Sequence, residues 1–114
     1  MKASSAPDGA FLCKNRFEIR QLHYFLEVAD AGSFSRPAKR LGVTQPAISQ
    51  QMRDLEKGLR AVLLQRRGKR THLTPAGLLF QEHARAILRQ LDQSLQGISA
   101  AKALVPRMIE NQKS

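Results

Sequence analysis

The stretch Ser33-Phe-Ser-Arg-Pro-Ala-Lys-Arg-Leu-Gly-Val-Thr-Gln-Pro-Ala-Ile-Ser-Gln-Gln-Met-Arg-Asp-Leu-Glu56 leaves few folds open. It sets a small residue at Ala38, a glycine at Gly42 and a branched apolar residue at Ile48. Two short crossing helices need all three. A small side chain lets the axes approach, a residue free to take positive φ closes the first helix, and an apolar wedge fills the angle between them. The pattern therefore predicts a helix-turn-helix. Its first helix should run from about Phe34 to Leu41, and Thr44 should cap the second. In that second helix Ile48, Met52 and Leu55 share one face, which leaves Gln45, Ser49, Gln50 and Arg53 on others.

The flanking segments suit the same small fold. Apolar residues at Ile19, Leu22, Phe25, Leu26 and Ala29 mark one face of a preceding helix, and Gly32-Ser33 supplies a stop followed by a new start. After Gly58, two short runs, Val62 to Arg66 and Arg70 to Leu73, are joined by Arg67-Gly-Lys69 and predict a two-stranded hairpin. Thr74-Pro75 then pairs a capping hydroxyl with a proline at the first helical position. From there Phe80, Ala84, Ile87, Leu91, Leu95 and Ile98 recur at helical spacing towards Pro106. Roughly 30 residues at a rise of about 1.5 Å make a helix of about 45 Å, too long for so small a domain to cover. Its outer part is expected to bury that stripe against another chain. The fold class is mainly all-α: a three-helix core, a short β-hairpin wing and a long C-terminal dimerisation helix. The expected divisions are a flexible leader at 1–17, a winged helix-turn-helix at 18–74, a linker or dimerisation helix at 75–105 and a hinge or tail at 106–114.

Charge narrows the function. Nineteen Lys and Arg against nine Asp and Glu give a formal net charge of +10, which points to a polyanionic partner. The excess is placed on the helix-turn-helix and the segment after it. From Arg36 to His72 the bases are Arg36, Lys39, Arg40, Arg53, Lys57, Arg60, Arg66, Arg67, Lys69 and Arg70, and the only acids are Asp54 and Glu56. Both acids are expected as exposed helix charges. A lone cysteine, Cys13, rules out an internal disulfide or a CxxC zinc framework, and a reducing, cytoplasmic compartment is expected. No apolar run approaches the roughly 18 residues of a membrane span. His23, His72 and His83 lack metal-ligand spacing, and no Ser or Cys has a placed base, so neither an enzyme nor a cofactor is expected. The second helix of a helix-turn-helix lies in the DNA major groove with its N-terminal residues on base edges, so double-stranded DNA is the expected partner. A sequence-blind nucleoid-like or RNA-binding protein is the competing reading, because the charge alone would support it.

From about Ile19 to Leu104 the chain resembles the N-terminal DNA-binding region of LysR-type transcriptional regulators. The residues that carry the resemblance are Leu22-His-Tyr-Phe-Leu26, Gly32-Ser-Phe-Ser35, Ala38, Arg40-Leu41, Val43-Thr-Gln-Pro-Ala-Ile-Ser49, Leu55-Glu56, Leu63, Arg66 and Leu73-Thr-Pro-Ala-Gly77. The molybdate-type regulator head shares the winged scaffold, but the Thr44–Ser49 run and the Thr74–Gly77 start favour the LysR type. The resemblance implies base reading by Gln45, Pro46, Ser49 and Gln50. The carboxamides of Gln45 and Gln50 match adenine N6 and N7, and Pro46 suits a thymine methyl. Many relatives have Arg where this chain has Gln50, which shifts the expected preference there from guanine to adenine. Backbone and wing contacts are expected from Arg20, Ser33, Phe34, Ser35, Arg36, Thr44, Arg53, Arg66, Arg67, Lys69 and Arg70, with the wing in the minor groove. The resemblance also assigns Ile87, Leu91, Leu95 and Ile98 to an antiparallel partner helix, hence a homodimer on an interrupted palindrome. It sets the end of the chain at the hinge that leads to an effector-binding domain, so no small-molecule effector is expected for the residues present. Three positions depart from the family pattern. Pro37 stands in the first turn of its helix. Arg60 replaces a helix-ending glycine, with Gly58 two residues early, so that either the helix ends sooner or Arg60 takes positive φ. Leu64 occupies a usually aromatic position in the wing.

Overall fold

The computed structural model describes residues 18–104; the expected leader, with Cys13, and the expected tail lie outside them. Along the described residues run α1 (Ile19–Ala31), α2 (Ser35–Leu41), α3 (Gln45–Leu59), β1 (Leu64–Arg67), β2 (Arg70–Leu73) and α4 (Pro75–Leu104). The mainly helical fold with a hairpin wing is the one expected.

Helix α1 lies at the centre and touches α2, α3, β2 and α4. At its start the Gln21 side chain accepts a hydrogen bond from the Glu18 N–H at 3.1 Å. Leu22, Phe25 and Val28 are wholly buried, whereas Ile19, expected in the same stripe, is 42% exposed. Because neighbours cover α1 on several sides, its buried arc widens to take in Val28 and Gln21 and leaves Ile19 at the edge.

The crossing of α2 and α3 is built as the spacing requires. Gly42 takes φ 71°, a left-handed conformation a side chain would resist. The Val43 N–H then reaches back to the Ala38 carbonyl at 3.0 Å. Ala38, Ile48, Met52 and Leu55 are buried together with Phe34. Pro37 is accommodated without a break, because the N–H it lacks would have no partner in the first turn of a helix. The Thr44 Oγ1 caps α3 by accepting from the Ala47 N–H at 3.2 Å. Helix α3 runs through a buried Gly58 and closes on Arg60 at φ 55°, ψ 43°, so Arg60 takes the positive-φ alternative. Among the described residues it is the only non-glycine with positive φ.

The strands pair antiparallel from Leu64↔Leu73 to Arg67↔Arg70, and Gly68-Lys69 forms a two-residue turn with Gly68 at φ 64°. Strand β1 begins two residues later than the apolar run suggests. Glu56, expected as an exposed helix charge, is half-buried. Its Oε2 accepts from the backbone N–H groups of Leu63 at 2.8 Å and Leu64 at 3.0 Å, so these amides anchor the wing to α3.

The start of α4 is clamped to the same junction. Thr74 donates its hydroxyl to the Val62 carbonyl, accepts from the Gly77 N–H at 3.0 Å, and gives its own N–H to the Leu63 carbonyl at 3.0 Å. Gly77 is required there for space: a Cβ on it would lie 2.2 Å from the Leu63 carbonyl oxygen. Phe80 packs edge-on against Phe25, with ring centroids 5.2 Å apart, and Ala84 is buried. Beyond Leu88 every described residue of α4 is exposed.

Candidate nucleic-acid interface

The N-terminal end of α3 presents a polar row to solvent. Gln45, Pro46 and Gln50 are exposed and Ser49 is half-buried. Gln45 and Pro46 occupy the first turn because Thr44 holds the cap, where proline costs no hydrogen bond. A side-chain network follows at helical spacing. Arg53 donates one guanidinium nitrogen to the Ser49 Oγ at 2.9 Å and the other to the Gln50 Oε1 at 2.8 Å. The Gln50 Nε2 in turn donates to the Asp54 Oδ1 at 2.9 Å. The fold thus joins two of the four expected base-reading residues to one expected backbone contact. Asp54 was not expected to take part; the interval of four residues from Gln50 is the only trace of its role in the sequence.

A second group assembles between the helix-turn-helix and the wing. Ser33, Phe34, Ser35, Gln45, Arg66, Gly68, Lys69 and Thr71 line one open cleft. Residues from the start of α2, the start of α3 and the hairpin are thereby set side by side. Phe34 itself is buried in the core, packed with the helix-turn-helix. The Arg66 guanidinium stacks over its ring, 4.6 Å from the centroid, and this contact fixes the wing to the base of α2. A further tie is the Thr71 N–H, which donates to the Gly32 carbonyl at 2.9 Å. A Cβ at Gly32 would come 3.3 Å from the Arg70 guanidinium, so Arg70 lies over the turn between α1 and α2. Arg67 and Lys69 are exposed at the hairpin tip.

Two expected contacts sit elsewhere. Arg20 pairs with Glu18 at 2.8 Å at the start of α1. Arg36 lines a different depression, with Glu27, Asp30 and Arg40, away from the wing. Along α4, Ile87, Leu91, Leu95 and Ile98 continue the stripe begun by Phe80 and Ala84, yet they are 42%, 38%, 56% and 57% exposed. Among the described residues no cluster of His, Cys, Asp or Glu could hold a metal ion, and no helix is long and apolar enough to cross a membrane.

This arrangement of reading helix, basic wing and long arm matches known proteins. Residues 19–78 match the family described as bacterial regulatory helix-turn-helix protein, lysR family. The chain belongs to the lysR family. Among relatives of this lysR-family chain, the HTH-type transcriptional regulator TcbR of Pseudomonas sp. (strain P51) is 49% identical over 77 residues, covering 68% of this chain and 26% of TcbR. The chain spans between about a quarter and just over a third of the length of the curated relatives it matches. The match spans nearly the whole of two solved structures and three quarters of this chain. The CbnR_DBD–DNA complex superposes with a TM-score of 0.72 at 47% identity, covering 75% of this chain and 98% of that one. The BenM_DBD/benA site 1 DNA complex gives a TM-score of 0.72 at 33% identity, over 75% and 99%.

Proposed function

We propose that this lysR-family chain binds double-stranded DNA sequence-specifically, as a homodimer, and regulates transcription in the bacterial cytoplasm. The observation that carries the reading is the exposed row at the start of α3, Gln45, Pro46 and Gln50, set beside a cleft lined by Arg66 and Lys69. Relatives named as transcriptional regulators, and similar structures solved as DNA complexes, support it. In this reading Gln45, Pro46, Ser49 and Gln50 meet base edges in the major groove, and the hydrophobic edge of Pro46 faces a thymine methyl. Ser33, Ser35, Thr44 and the Phe34 backbone serve phosphates, while Arg53 and Arg66 add charge and Arg67, Lys69 and Arg70 enter the minor groove with the wing. Arg20 and Arg36 contribute to the general positive field. No catalytic or cofactor role is assigned to any residue.

The exposed stripe Ile87, Leu91, Leu95 and Ile98 supports dimerisation along α4. Isolated apolar side chains on a surface are ordinary, but four in one line at helical spacing make a seam. Two-fold pairing puts two reading helices on one duplex and calls for two half-sites in inverted repeat. Selection of preferred duplexes from a random pool at fixed, near-physiological salt tests the proposal. Enrichment of an interrupted palindrome is the expected result. Binding without enrichment would establish a sequence-blind basic protein instead.

A further inference from the structure

We infer that Asp54 is a specificity-determining positioning residue: with Arg53 it locks the orientation in which the Gln50 carboxamide is presented to a base pair. The inference rests on the proposed reading of DNA by α3. A glutamine side chain is ambiguous as a reader because its oxygen and nitrogen ends are nearly the same size and a half-turn of the amide exchanges them. Here the two ends meet unlike partners. The Gln50 Oε1 accepts from Arg53 at 2.8 Å, and the Nε2 donates to the Asp54 Oδ1 at 2.9 Å. Arginine has only donors and an ionised carboxylate only acceptors. A flipped amide would therefore set its oxygen against a carboxylate and its N–H groups against a guanidinium, losing both bonds at once.

The lock leaves the reading edge free. A carboxamide has two N–H donors and two oxygen lone pairs, and one of each is used within the helix. The remaining N–H and lone pair are the complement that bidentate recognition of adenine requires, accepting from N6 and donating to N7. Arg53 uses two guanidinium nitrogens on Ser49 and Gln50 and still has N–H groups for a phosphate. Asp54 brings a negative charge to a basic face that approaches a polyanion, so by charge alone it weakens binding to every duplex. Its contribution is then to choice rather than to affinity. All four residues lie on α3 at intervals of three or four, so the lock is present before DNA arrives.

The test measures binding by the whole chain to its selected duplex, to that duplex with single base pairs replaced, and to random duplex, all at one salt concentration. Q50A first identifies the base pair at which Gln50 discriminates. D54A removes the acceptor, and D54N keeps the shape but can face either end of an amide. Both are expected to lower discrimination at that base pair about three- to tenfold, part of the roughly 5- to 150-fold that a full bidentate pair supplies. Both should bind random duplex at least as tightly as the parent. In the Q50A background neither should change discrimination any further, as a double-mutant cycle requires of a residue acting through Gln50. Unchanged discrimination in either variant, or an equal loss in the Q50A background, would overturn the inference while leaving sequence-specific binding standing. A parent chain that selects no sequence would overturn the functional reading and the inference with it.

Discussion

Replacing Gly77 with alanine sets two physical effects against each other, and the structure decides between them. Gly77 lies in the first turn of α4, and helix propensity alone favours alanine over glycine by about 1 kcal/mol. The new methyl, however, would sit 2.2 Å from the Leu63 carbonyl oxygen and 3.1 Å from its carbonyl carbon, with the Leu73 side chain at 3.2 Å. The nearest obstacle is backbone and cannot rotate away. Relief requires α4 to retreat by about 1 Å from the junction where Thr74 binds Val62, Leu63 and Gly77. Overpacking of this kind costs about 1–3 kcal/mol. At the upper end, set against the propensity gain of about 1, a net destabilisation of about 2 kcal/mol is expected. Gly97 provides the control within the same helix, since nothing lies within 4 Å of a Cβ built there. G97A should be neutral or stabilising by up to about 1 kcal/mol. Urea denaturation of both variants at one fixed protomer concentration compares them, because a dimer's stability depends on concentration. If G77A matched or exceeded the parent in stability, the close approach of α4 to Leu63 could not be a constraint on the fold.

Three further outcomes follow from particular contacts. E56A should destabilise the chain by about 2–3 kcal/mol, because it leaves two part-buried N–H groups without their carboxylate acceptor, and amide exchange at Leu63 and Leu64 should accelerate more than at the centre of α1. R60G should stabilise by about 1 kcal/mol, since glycine takes the conformation of φ 55° without the steric cost Arg60 bears; thermal denaturation measures it. L91D with L95D should leave only monomer in sedimentation at micromolar concentration, where the proposed dimer would otherwise form, and weaken binding to a two-half-site duplex far more than to a single half-site, without altering the helix-turn-helix core.

The fold was legible where local rules and tertiary packing agree. Ala38, Gly42 and Ile48 reveal the crossing of α2 and α3, and the burial of Ile48, Met52 and Leu55 follows from a spacing that any amphipathic helix would show. Thr44 and Thr74 announce their helices because a capping hydroxyl acts on N–H groups only three residues away. Less legible was whatever depends on a partner distant in sequence. Glu56 reads as a solvated charge until the chain returns to place the Leu63 and Leu64 amides beside it. Val28 and Gln21 are buried because four other elements close over α1, and a single helical stripe cannot report how wide an arc they cover. Phe34 and Arg66 are 32 positions apart in the chain, and their stacking is invisible before the wing folds back.

Local patterns along the chain suffice for the set of elements and the charge they carry: a helix-turn-helix, a basic hairpin and a long amphipathic helix whose stripe outlasts its own domain. These depend on periods, caps and turns that act within a few residues. Fine placement came from the packing of helices against one another. That packing turned Glu56 inward to hold the wing and gave Gly77 its purpose against the Leu63 carbonyl. It also put Arg60 into the left-handed region, and it set Arg66 on Phe34 beside the start of α3. Each of these is a meeting of groups whose distance in space is set by the packing of whole helices, a quantity that no local pattern contains.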